Sequence, residues 1–208
     1  MKYTLSNKTL SKWKDFNGYF LPNNTLVISI IGIFSALILV LTMIIPIRIP
    51  ATQGYINIGD IGVIITGLLF GPVIGGISGG VGSALADIIL APQYALPTLV
   101  IKGLEGFVVG LISNPRKFYK KFDYRDFTGI LIGGLIMVFG YFIIEIIFYG
   151  FPSALFEFFL NVFIQFGLGA VAGILFSIFV RKNIIDNLPQ VFEKIFLNQN
   201  QENKKRDY

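Results

Sequence analysis

Residues 25–45 carry no formal charge, and as a helix rising 1.5 Å per residue a run of about 20 such residues crosses a hydrocarbon layer ~30 Å thick. No other property of the chain constrains its fold as hard. In lipid every backbone N–H and C=O has to be satisfied within the protein, and a helix does this locally. Further apolar segments follow at 58–70, 73–90, 98–113, 127–149 and 154–180. With 54% hydrophobic and 14% charged residues among 208, the composition is that of a membrane protein, not of a soluble domain. The first segment is too long for a signal-peptide core, follows a polar stretch over 1–24 and precedes no small-x-small cleavage site, so it reads as a retained span.

The net charge of +5 would suit a nucleic-acid partner, yet its distribution does not, and none is expected. Lys2, Lys8, Lys12 and Lys14 precede the first span, Arg116, Lys117, Lys120, Lys121 and Arg125 lie between the fourth and fifth, and Arg181 and Lys182 follow the last. The positive-inside rule puts all three groups in the cytoplasm. An even number of crossings must then separate them, so 58–90 holds two, broken at Gly71-Pro72 because proline cannot continue a helix.

The fold class expected is therefore an all-α integral membrane protein of six transmembrane helices in the cell membrane, with both termini cytoplasmic. Residues 25–182 form the membrane domain. A basic arm over 1–24, with Trp13, Phe16, Tyr19 and Phe20, reads as a short interfacial helix, and 183–208 as a partly disordered tail.

Charge inside the spans is sparse and clustered. Asp60, Asp87, Lys102, Glu105, Glu145 and Glu157 all fall toward the outer ends of their helices, at one level. An ionised group at the bilayer centre costs about 2.5–3.5 kcal/mol on insertion scales, so such a cluster marks a polar pocket. Glu157, Asn161 and Gln165 stand four apart and make one inward stripe. The candidate solute contacts are these three with Tyr55, Asn57, Tyr94, Lys102, Glu105, Tyr141 and Glu145, while Asp60 and Asp87 read as structural. Lys102 has two readings, solute contact or pairing with Asp87 or Glu105 to hold the fourth helix on the third. The outer loop over 46–57 is longer than a turn needs and reads as a lid.

The third helix carries Gly75, Gly79 and Ser83 at four-residue steps, and the first carries Gly32 and Ala36. Such faces let helices approach closely in lipid, either within one chain or against a partner. The chain has no histidine or cysteine, which removes imidazole, thiolate and disulfide chemistry, and no cofactor or metal is expected. An intramembrane enzyme finds no nucleophile and base at workable spacing. A small cation channel or a structural membrane protein with a carboxylate-rich outer cavity is the remaining alternative, although the charges occupy only the outer half of the path a channel would need.

The stretch GYINIGDIGVIITGLLFGPVIGGISGGVGSALADIIL, followed by TLVIKGLEGFVVGLIS, resembles the substrate-binding S component of energy-coupling factor (ECF) vitamin transporters, in the branch with riboflavin-, hydroxymethylpyrimidine- and pyridoxine-type members. The match is carried by Asn57-Ile58-Gly59-Asp60, Leu69-Phe70-Gly71-Pro72, the helix end from Gly82 to Asp87, and Ile101-Lys102-Gly103. The resemblance implies a protein that captures a vitamin or precursor in its outer half and associates with a membrane scaffold and two ATPases. It also implies that small-residue faces, here Gly32, Ala36, Gly75, Gly79 and Ser83, meet the scaffold. Hydrolysis of ATP would belong to the partners, consistent with the lack of a GxxxxGK[ST] loop here.

Overall fold

The structure, a computed structural model, describes residues 15–16, 18–22, 25–115 and 122–196. The lysines at 2–14, Trp13, Arg116, Lys117, Lys120, Lys121 and the tail over 197–208 lie outside the described residues. Five helices are long and apolar enough to cross a membrane, and a sixth apolar helix is shorter.

In chain order these are α1 (Thr25–Ile44), α2 (Gly59–Phe70, the short one), α3 (Pro72–Leu90), α4 (Ala95–Ser113), α5 (Tyr124–Tyr149) and α6 (Phe151–Asn187). A final helix, α7, spans Pro189–Ile195. A 3-10 turn, Pro92–Tyr94, leads into α4. The break between α2 and α3 falls at Gly71, whose φ of +86° costs glycine little, and Pro72 begins α3 where its missing N–H is no loss.

The core of the bundle is backbone against backbone. A Cβ at Gly75 would stand 2.7 Å from the Gly106 carbonyl, and one at Gly79 would stand 2.8 Å from the Lys102 carbonyl. Only glycine lets α3 and α4 approach this closely, and α3 is the most enclosed long helix, 61% buried against 28% for α1. The reading of Gly75, Gly79 and Ser83 as a partner face is thereby corrected. All three are buried, and α4 and α2 fill the space in front of the two glycines. Gly32 and Ala36 of α1 are exposed, with open space in front of Gly32.

Two loops differ from expectation. The segment after α1 is a β-hairpin, with β3 (Ile47–Ile49) antiparallel to β4 (Gly54–Ile56) and Arg48 opposite Tyr55. Near the start of the described chain, β1 (Asp15–Phe16) pairs with β2 (Tyr19–Phe20) where a helix was expected. Gly18, at φ +82°, makes that reversal. Tyr19 then bridges to Phe196 beyond α7, so both ends of the described chain meet at the end of the bundle opposite the β3–β4 hairpin. There Tyr19, Phe70, Phe192 and Phe196 join one apolar cluster, and the Tyr19 hydroxyl donates to Asn114 at 3.0 Å.

The last long helix continues past residue 182 to Asn187. Arg181, read from the sequence as a surface flank, is fully buried and holds both oxygens of Asp126 at 2.8 and 2.7 Å. Asp126 also closes a capping box with Asp123 at the start of α5, so one carboxylate fixes that helix end and ties it to α6.

Candidate functional site

The β3–β4 hairpin roofs a small cavity lined by Gly54, Tyr55, Asn57, Asp87, Tyr94, Tyr141, Glu157, Asn161 and Gln165. Its wall from α6 is the polar stripe at four-residue spacing. In an α-helix that step overshoots a full turn by about 40°. Here Asn161–Phe166 winds as a π-helix, whose wider turn reverses the drift, and Glu157, Asn161 and Gln165 all stay buried on one line.

The roof is latched at several points. The Thr52 hydroxyl donates to Glu157, the Tyr55 hydroxyl donates to Asp87, and the Tyr94 hydroxyl donates to the Thr52 carbonyl at 3.0 Å. Arg48 reaches the Leu90 carbonyl at 3.2 Å from the outside of the hairpin. Burial, with the Asp87 carboxylate beside it, pushes the Tyr55 phenol far above its usual range, so it remains a donor at any working pH. Gly54 has its own reason to be glycine, since a Cβ there would lie 2.9 Å from Glu157 Oε1. Tyr94 stacks on Tyr149 at 6.3 Å and tilts against Tyr141, whose hydroxyl meets that of Thr98 at 2.8 Å.

Beneath the cavity lies a sealed ionic cluster. The Lys102 ammonium donates to Asp60 and, at 3.0 Å, to Glu105 Oε2. All three residues are at most 2% exposed. Gln165 links this cluster to the roof: its amide nitrogen donates to Asp60 at 3.3 Å, and its carbonyl accepts the Asn57 N–H at 3.2 Å. The Asn57 side chain in turn accepts the Gly59 N–H at the start of α2, at 2.8 Å.

These positions redistribute the residues singled out from the sequence. Seven of the ten candidate contacts line the cavity: Tyr55, Asn57, Tyr94, Tyr141, Glu157, Asn161 and Gln165. Lys102 and Glu105 do not line it; below it Lys102 pairs with both Asp60 and Glu105, and Asp60, not Asp87, is the long-range partner of Lys102. Asp87, read as purely structural, faces the cavity. Glu145 is fully buried behind Glu157. Thr52 and Gly54 were not anticipated. Their signal was the Thr-Gln-Gly turn between the apolar runs Ile47-Arg48-Ile49 and Tyr55-Ile56, which marks a hairpin.

Comparison with known proteins agrees with this architecture. A solved structure of ThiT from Listeria monocytogenes superposes with a TM-score of 0.52 over 80% of this chain and 97% of that one, at 19% identity, which shows a shared membrane-helix fold. A protein described as "Uncharacterized protein in gap 3'region" from Pyrococcus woesei is 46% identical over 134 residues, 64% of this chain and 87% of the relative. The thiamine precursor transporter HmpT of Lactococcus lactis is 30% identical over 137 residues, 65% of this chain and 76% of the relative. Residues 23–189 match the model of the family described as ECF-type riboflavin transporter, S component. This chain is a multi-pass membrane protein of that family, a transporter component and not an enzyme.

Proposed function

We propose that the chain is the solute-capture subunit of an ECF-type importer, holding a vitamin or vitamin precursor under the β3–β4 hairpin and passing it inward with a membrane scaffold and two ATPases. The observation that carries this reading is the roofed cavity, polar on its α6 wall and aromatic beside it, inside a bundle of membrane-crossing helices.

The hairpin end faces outward and both termini are cytoplasmic. The pairing of Tyr19 with Phe196 at the opposite end, together with Arg125 and Lys182 near that end, supports that orientation and an even number of crossings. At 12 residues α2 is short for a span of about 20, but ten of its residues are buried, so it is sheltered from lipid and serves as the second of six crossings. The hairpin is the gate, and the exposed Gly32 and Ala36 of α1 form the part of the small-residue surface left free for the scaffold.

For the cargo, a single-ring heterocycle is favoured over a tricyclic flavin. The relative named for a thiamine precursor supports the smaller solute over the riboflavin of the family description. No Lys or Arg among the described residues lines the cavity, which disfavours phosphorylated or polycarboxylate vitamins.

Uptake of labelled single-ring precursors by cells carrying this chain with a scaffold and two ATPases tests the assignment. Accumulation is expected to require all the subunits. Accumulation through this chain alone, unaffected by inactivating the ATPases, would point to a channel.

A further inference from the structure

We propose that Glu145 and Glu157 together form a subsite for a positively charged, N–H-donating edge of the ligand. The inference rests on the solute-capture reading and deepens it.

Glu145, on α5, is fully buried, and neither of its carboxyl oxygens has a hydrogen-bond donor among the described residues. Its carboxyl lies within hydrogen-bonding reach of that of Glu157 on α6, which lines the cavity and is 4% exposed. The hairpin supplies one donor to the pair, the Thr52 hydroxyl on Glu157 Oε2. One external donor for four oxygens leaves the pair short of satisfaction even with a proton shared between the two carboxyls.

No cation among the described residues makes up the difference. Lys102 is spent on Asp60 and Glu105, and Arg48 points to the Leu90 carbonyl outside the hairpin. Asp87 on the facing α3 wall adds a further negative group to the cavity. Two carboxyl groups in contact at low dielectric repel unless positive charge or a proton lies between them, and an unpaired buried charge costs several kcal/mol.

A ligand edge that places a ring nitrogen beside an exocyclic amine presents one N–H donor from the amine and a second once the ring nitrogen takes up a proton from the pair, the two parallel bonds that carboxylates bind most strongly. Tyr55, Tyr94 and Tyr141 line the same cavity, and aromatic side chains there suit a flat, positively charged ring. A ring carbonyl at that edge would instead present an acceptor to oxygens already lacking donors.

The test titrates 4-amino-5-hydroxymethyl-2-methylpyrimidine, its 4-oxo counterpart of equal size, and riboflavin into the purified full-length chain. The amine is expected to bind at least about 100-fold more tightly than the oxo compound, the discrimination typical of a site built for a donor. Glu145→Gln is expected to weaken the amine by about tenfold or more while leaving the oxo compound within about twofold. Glu157→Gln provides a second variant, and the comparison of the two pyrimidines on the unaltered chain needs neither. Equal affinity for the two pyrimidines overturns the subsite, as does an equal loss for both in Glu145→Gln, which would mean that the pair satisfies itself with a shared proton. Binding of riboflavin alone, indifferent to Glu145→Gln, overturns the subsite while keeping the solute-capture reading. Binding of none of the three overturns both.

Discussion

Gln165 accepts the backbone N–H of Asn57 at 3.2 Å and with its amide nitrogen donates to Asp60 at 3.3 Å, so one side chain joins the roof of the cavity to the ionic cluster under its floor. Leucine at this position keeps the volume but removes both bonds and leaves the Asn57 N–H without its acceptor. Each buried polar group left unsatisfied costs about 1–3 kcal/mol. Gln165→Leu is therefore expected to weaken solute binding by roughly 10- to 100-fold in titration calorimetry, with faster ligand release.

Lys102 is the counter-ion of two carboxylates, not a solute contact. Lys102→Met strands Asp60 and Glu105 at 0–1% exposure, and breaking one side of such a buried pairing costs about 3–5 kcal/mol. Thermal unfolding in detergent is expected to show a large drop. Neutralising all three positions, with Asp60→Asn and Glu105→Gln added, is expected to recover most of it. A Lys102→Met chain of normal stability that has lost only ligand affinity would return the lysine to the binding site.

The glycine positions separate packing from docking. Gly79→Leu drives a side chain into the Lys102 carbonyl and Val63, so fold and binding are expected to fail together. Gly32→Leu meets nothing within 4 Å and is expected to leave solute binding unchanged while weakening co-purification with a scaffold subunit. Binding assays and pull-downs on the same preparations distinguish the two outcomes.

The latch on the roof is expected to set ligand retention. Thr52→Val removes the hydroxyl that reaches Glu157, and Tyr55→Phe removes the one that reaches Asp87. Each is expected to raise the ligand off-rate by about 3- to 30-fold in stopped-flow measurements, with a smaller effect on the on-rate. Unchanged off-rates in both variants would mean that the hairpin is not the gate.

What the sequence made legible follows from the range of the forces involved. The Gly71-Pro72 break and the stripe of Glu157, Asn161 and Gln165 are local, set by proline geometry and helical period. The pairing of Lys102 with Asp60 spans 42 positions, and charge alone did not say which acid would lie within reach. Small residues at Gly75 and Gly79 announce close approach but not the neighbour, which turned out to be α4 of the same chain. The β3–β4 hairpin was masked by its length, because two three-residue strands hardly differ from a loop in pattern. The π-helical winding of Asn161–Phe166 is not marked by any local pattern of the kind that proline or helical period supplies.

The most direct measurement is mass spectrometry of small molecules that co-purify with the full-length chain in detergent, followed by calorimetric titration of the hit against the unaltered chain, Glu157→Gln and Asn161→Ala. The account predicts a single-ring vitamin or precursor bound one to one, weakened at least about tenfold by either substitution. A chain that emerges empty and binds none of the candidate vitamins would contradict it.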